Sequence, residues 1–243
     1  MEWSDQGLVL SVNRHGESSV ITHLLTRDHG RHAGLVRGGA GRRLRGTLQA
    51  GNKVRATWRG RLAEHLGSYT LECDAAYAAG LLDSPTALEA LNAACALILS
   101  LLPEREPHAA LYDGLELVLN ALQNDSVWPA LFVRWEVGLL QELGFGLDLE
   151  SCAVTGQIHD LTHVSPRTGR AVCRVQALPY QDRLLRLPVF LTHGQVAAPD
   201  SPKPGDIQDG FRLSGYFLES RALAPQDQAL PLSRARMLAR LFR

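Results

Sequence analysis

The chain has almost no lysine. Only Lys53 and Lys203 occur in 243 residues, so arginine supplies nearly all of the 25 basic groups. Arginine stays charged and forks onto phosphate or carboxylate oxygens, which makes its distribution informative. Cysteine is also sparse: Cys73, Cys95, Cys152 and Cys173 are scattered along the chain. That excludes a disulfide-dense secreted scaffold and points to free thiols in a reducing cytoplasm. The start, MEWSDQGLVLS, has neither a basic stretch nor a long apolar one, so no export signal is read there. The most apolar run, Ala93–Leu102, is far shorter than the ~20 residues a bilayer-spanning helix needs, and no membrane partner is expected. A nucleotide-binding phosphate loop is missing too. Gly38-Gly39-Ala40-Gly41-Arg42-Arg43 has glycines but no Lys-Ser/Thr ending. No spacing among the nine histidines singles out a triad, and Trp135-Glu136, Asp148 and Glu150 read as ordinary helix-face and loop residues. The chain reads as a protein that works without hydrolysing anything, and not as an enzyme.

What is present is an uneven charge. Formal net charge is zero, yet residues 1–61 hold 11 basic against 4 acidic residues. Most of that excess lies in one stretch, Val36–Arg61, with seven arginines, Lys53 and no Asp or Glu. Its first half is glycine-spaced, the composition of a mobile loop, and basic groups on such a backbone can follow a phosphate chain. The candidate contacts are Arg37, Arg42, Arg43, Arg45, Lys53, Arg55, Arg59 and Arg61. The half from Arg37 to Arg45 is the better candidate for direct contact. Lys53–Arg59 alternates Val54, Ala56 and Trp58 against polar residues, which suits a strand with one buried face and puts Trp58 inside, not stacked on a base.

Further strands are expected at Trp3–Val12, Ser18–Thr26, Arg31–Arg37 and Leu66–Cys73, with turns at Asn13–Gly16, Asp28–Gly30 and Gln49–Asn52. Five short strands with tight turns suggest a small barrel, of which the OB-fold has this strand count. After Gly80 the apolar period becomes helical. Ser84-Pro85 opens one helix, Ala109–Gln123 forms a second and Val127–Leu143 a third, ended by Gly144-Phe145-Gly146. Helical signals return at Tyr180–Arg186, Asp206–Leu223 and Leu232–Phe242, with a proline-rich connector at Ala197–Gly205. The expected architecture is α+β: a five-stranded OB-fold barrel over residues 1–80, then a mainly helical domain over 81–243. A small turn-rich insertion occupies 147–178.

In that insertion Cys152 and Cys173 each occupy the first place of a C-x₂-C knuckle whose second thiol is missing, being Thr155 and Gln176. A four-thiolate zinc site is therefore incomplete. His159 and His163 lie between the cysteines, so Cys152, His159, His163 and Cys173 are weak metal candidates; no cofactor is expected.

One run of motifs carries a family likeness. After the basic five-strand module come R-W-E-x-x-L-L-x-E-L-G-F at Arg134–Phe145, C-A-V-T-G at Cys152–Gly156 and S-P-x-x-G-x-A-V-C at Ser165–Cys173. The chain resembles the bacterial RecO family of DNA repair proteins over essentially its whole length. The resemblance implies an N-terminal OB-fold and a helical domain that often carries a zinc-ribbon-like insertion. It implies binding to single- and double-stranded DNA, annealing of complementary strands, and work with RecR to load RecA onto DNA coated by single-strand-binding protein (SSB), in the RecF pathway of the nucleoid. It also implies contact with the acidic, Phe-ended SSB tail, for which Arg134 and a wall formed by Trp135 or neighbouring leucines are the candidates. The departure at two of four thiol positions puts zinc in doubt, but not the fold. Two other readings start from the same residues: an OB-fold module that binds RNA, and a metal-dependent enzyme built on the Cys/His insertion.

Overall fold

The computed structural model describes residues 1–192 and 202–243; most of the expected connector Ala197–Gly205 lies outside them. Two compact units divide the chain, Met1–Gln123 with Pro231–Arg243, and Asn124–Leu230. The change from strands to helices near residue 80 falls inside the first.

The first unit opens with a closed barrel of strands β1 (Glu2–His15), β2 (Ser19–Thr26), β3 (Gly30–Val36), β4 (Lys53–Arg59) and β5 (Ser68–Ala75), in the order β1-β2-β3-β5-β4. This is the five-stranded OB arrangement. Strand β1 is long enough to serve two neighbours. Glu2–Leu8 pairs with β4 and Gly7–His15 with β2, and a register shift between Val9 and Ser11 bends it from one to the other. Closure comes from the parallel contact of Leu35 with Ser68. Alternation along the strands sends Val9, Val20, Leu24, Val36, Val54, Ala56, Trp58, Tyr69 and Leu71 into one core, and Leu48 joins them from the β3–β4 loop. Trp58 is 1% exposed, and its indole N–H donates to the Leu66 carbonyl. Gly60 and Gly67 lie so close to its ring that a Cβ at either would collide with it. The indole is core, as the alternation predicts.

Helices α1 (Pro85–Leu101) and α2 (Ala109–Ala121) follow, and α6 (Leu232–Leu241) packs on α1, where Arg236 pairs with Glu89. Proline starts α1 at its first turn, but the Ser84 side chain makes no capping bond.

In the second unit, α3 (Trp128–Glu142) packs on α5 (Pro204–Phe217) through Phe132 and Phe211. Asn124 organises the entry to α3: its carbonyl accepts from the Val127 and Trp128 N–H groups and its side chain holds Ser126. Gly144, at φ +79°, ends α3 in a left-handed turn closed by the Phe145 N–H on the Leu140 carbonyl. The expected turn-rich insertion contributes β6 (Leu161–Val164), β7 (Ala171–Cys173) and the single turn α4 (Arg174–Ala177), and β8 (Leu185–Arg186), beyond its expected end, completes a three-stranded sheet. The segment Tyr180–Arg186 is not one helix. It is 3₁₀ to Arg183 and then strand. No described helix is long and apolar enough to cross a membrane.

Candidate nucleic-acid interface

The basic stretch divides into two structural classes. Its first half, the β3–β4 loop, is folded down onto the barrel. Gly38 turns the chain at φ +68°, and Gly39 is buried so closely against Val20 that no side chain fits there. Leu48 enters the core with Leu44 and Ala40 packed beside it. The Ala40 N–H donates to the Ser18 carbonyl, tying the loop to the β1–β2 hairpin. Asn52, 1% exposed, staples the far end: its amide donates to the Gly46 carbonyl, and its oxygen accepts from the Ala78 N–H. The expectation of a mobile loop is corrected, because its apolar residues and Asn52 anchor the glycine-rich backbone.

That anchoring leaves the guanidinium groups outside. Arg37, Arg42, Arg43 and Arg45 are all exposed, and none makes an ion pair or side-chain hydrogen bond among the described residues. Arg14, from the β1–β2 hairpin, is exposed and unpaired as well. It joins Arg42 and Arg45 around a cleft of about 430 Å³ whose floor is Val12, Val20, Gly39, Ala40 and Leu48. Sequence reasoning placed Arg14 in a turn and missed it; its strand-end position in the hairpin beside a basic loop is the available signal.

The second half is different. The Lys53 ammonium donates to Glu116 at 2.5 Å and lies 3.9 Å from Asp74, with its side chain only 13% exposed. Burial works against its charge, but the Glu116 carboxylate outweighs it and holds the lysine pKa above the usual value. Arg59 pairs with Glu2 across β1 and β4, and Arg55 lies 3.9 Å from Glu72 on β5. Arg61 is exposed.

At the opposite end of β1, Trp3 stacks on the His29 ring at 4.0 Å and on Trp58 at 5.7 Å, while Tyr69 Oη lies 3.1 Å from His32 Nδ1. Burial depresses the His32 and His23 pKa values.

In the second unit Arg134 stands on α3 at a cleft of about 560 Å³. Its Nε and Nη2 donate to the Phe190 carbonyl at 3.1 and 2.8 Å, and it makes no ion pair among the described residues. Leu147, Leu149 and Phe190 supply the apolar wall, and Glu150 adds one carboxylate. Trp135 does not line this cleft. It is 5% exposed and packs edge-on to Phe132. Glu136 is no ordinary helix-face acid either: it is fully buried and accepts a hydrogen bond from the Ser214 hydroxyl.

The insertion brings its two cysteines together but not the histidines. Cys152 Sγ and Cys173 Sγ lie 3.4 Å apart, both buried, with the Thr155 hydroxyl 3.9 Å from Cys173 where a knuckle's second thiol would stand. Burial opposes ionisation of Cys152, yet the Thr155 hydroxyl and the N–H groups of Cys173, Thr155 and Val154 overcome it and lower its pKa to about 6. His163 is buried with Nδ1 on the Thr162 hydroxyl, and His159 is exposed. Among the described residues no three His, Cys, Asp or Glu side chains form a group that could hold a metal ion.

Comparison with known proteins places this geometry in context. The family model "Recombination protein O N terminal" matches residues 1–74, and "Recombination protein O C terminal" matches residues 82–227. The DNA repair protein RecO of Rhodospirillum rubrum is 52% identical, over 100% of this chain and 97% of the relative. Those of Rhodospirillum centenum and Bradyrhizobium diazoefficiens are 48% and 49% identical, over 99% and 100% of this chain and 94% and 96% of the relatives.

Proposed function

The chain belongs to the recombination protein O (RecO) family, and from that premise we propose that it acts in DNA repair and recombination as a non-enzymatic mediator. It holds single and double strands of DNA by their phosphates and anneals complementary strands. With RecR it loads RecA onto DNA covered by SSB. The observation that carries this reading is the set of unpaired arginines, Arg37, Arg42, Arg43 and Arg45, displayed on an anchored loop of the barrel. Each phosphate contact releases counterions, so binding weakens steeply with salt. Two strands held on one basic surface repel each other less and meet at higher local concentration. Annealing then needs no nucleotide hydrolysis, and the protein works in the cytoplasm, at the nucleoid.

The cleft on α3 suits the tail of SSB. A cation beside an apolar wall matches a peptide ending in acids and a phenylalanine carboxylate, with Arg134 meeting the carboxylate and Leu147, Leu149 and Phe190 meeting the ring.

The decisive test is annealing of complementary strands coated with SSB or with SSB lacking its tail. Full-length SSB supports annealing by the wild-type protein, whereas tailless SSB or the Arg134→Ala variant loses most of it. Equal annealing in all three reactions rules out the tail contact. Absence of annealing even on naked strands rules out the mediator reading. No metal is assigned a role, and stoichiometric zinc in the purified protein would overturn that.

A further inference from the structure

The cleft beside Arg14 has a feature that phosphate binding alone does not use. A site for a phosphate chain needs cations and open water; this one also has an apolar floor. Val12 and Ala40 are half-buried, and Val20 and Leu48 rise from the barrel core behind them. Three arginines, Arg14, Arg42 and Arg45, share the lining with that floor. Among the described residues no carboxylate lines the cleft. Its walls come from two segments, the β1–β2 hairpin and the β3–β4 loop, joined by the hydrogen bond from the Ala40 N–H to the Ser18 carbonyl. The backbone of the two walls is therefore tied together before any ligand arrives, and a volume of about 430 Å³ leaves room for a small organic group.

We propose that this cleft accepts one unstacked nucleotide of a single DNA strand. This rests on the strand-binding reading above. Arg14 and the loop arginines Arg42 and Arg45 take the phosphates on either side, and the base lies on Val12, Val20 and Leu48. Apolar surface gains by exchanging water for the face of a base, and guanidinium planes stack on bases as well as pairing with phosphate. In a duplex the bases are stacked and paired, and entry requires pulling one out. In a single strand they are already free. The cleft consequently discriminates between strand types without reading sequence, because every base has a face to offer. Arg14 is the residue that distinguishes this cleft from the rest of the basic loop.

The probes are a short oligothymidylate and an abasic strand with the same number of phosphates, with binding followed by fluorescence anisotropy across a salt titration. The wild-type protein is expected to hold oligothymidylate at least about fivefold more tightly than the abasic strand, the lower end of what one stacked base contributes. Arg14→Ala, at an exposed and unpaired position that folding does not need, weakens both probes and lowers the salt slope by about 0.7, the value of one single-strand phosphate. Val12→Ser, a mild change at a half-buried position, brings oligothymidylate down toward the abasic strand and leaves the abasic strand unchanged. Equal wild-type affinity for the two probes, with a steep salt slope, overturns the base site while leaving strand binding intact. An Arg14→Ala protein with unaltered affinity and slope, or a Val12→Ser protein that keeps the full preference, overturns it too. A wild-type protein that holds neither probe removes both this inference and the function it rests on.

Discussion

The two halves of the basic stretch look alike in composition and differ in what surrounds them. Arg37–Arg45 sits on a loop whose apolar residues are sunk in the barrel, so its cations are left facing solvent, without ion-pair partners among the described residues. Lys53–Arg59 lies in a strand, where neighbouring strands and helix α2 bring Glu2, Glu72, Asp74 and Glu116 to its cations. An unpaired cation gives up only hydration when it meets a phosphate. A paired one must first lose its carboxylate. A count of arginines therefore overstates the binding surface, and the ion pairs show which charges are engaged.

The sharpest way to break this comparison is to remove the free half. Arg42→Ala with Arg43→Ala and Arg45→Ala is expected to lower the salt slope of single-strand binding by about two units, at about 0.7 for each phosphate left without its arginine, and to weaken binding more than tenfold at moderate salt. A titration in which affinity and slope stay unchanged would show that the loop does not touch DNA. Removing the paired half should do the reverse. Lys53→Met leaves the half-buried Glu116 without its donor and should cost about 1–3 kcal/mol in chemical denaturation, with DNA affinity little altered. A large loss of affinity with native stability would place Lys53 in the interface after all.

A pH experiment separates barrel stability from strand binding. Burial depresses the pKa of His32, so folding favours the neutral imidazole. Unfolded, it titrates near the ordinary value of about 6.5. Its stabilising contribution is present above about 6.5 and is lost as pH falls through the depressed folded value, because the unfolded chain then binds the extra proton. The protein should lose stability on acidification below about 6.5, and His32→Gln should flatten that slope. His23, shifted in the same direction, should maintain a residual dependence. Identical slopes for wild type and variant would remove His32 from the account. The smallest effect belongs to Arg59→Ala. Its pair with Glu2 is exposed, and its loss should leave both the denaturation midpoint and DNA affinity near wild type.

Much of this was legible in the sequence where local pattern decides structure. Strand β4 occupies the residues predicted by the alternation of Lys53–Arg59, and Trp58 points inward because period-2 spacing leaves it no other face. Helices α1 to α3 follow from 3.6-residue apolar spacing. The glycine-rich loop misled because composition reports freedom of the chain and not its anchors. Asn52 holds Gly46 within the loop and also accepts from Ala78, a partner 26 residues away that only the folded chain brings within its range. Trp135 and Arg134 are neighbours in sequence, but helical geometry turns one into the core and the other to the cleft.

The sequence by itself determined the barrel strands, helices α1 to α3, the family and the existence of a strongly basic region, because each is a property of short-range pattern or of summed charge. Only the tertiary structure decided which cations are free. Lys53 and Glu116 are 63 residues apart in sequence and 2.5 Å apart in space. Arg14 joins Arg42 and Arg45 across a fold in the barrel. Electrostatic pairing depends on distance through space, and a linear chain carries that distance only after its strands have found their register.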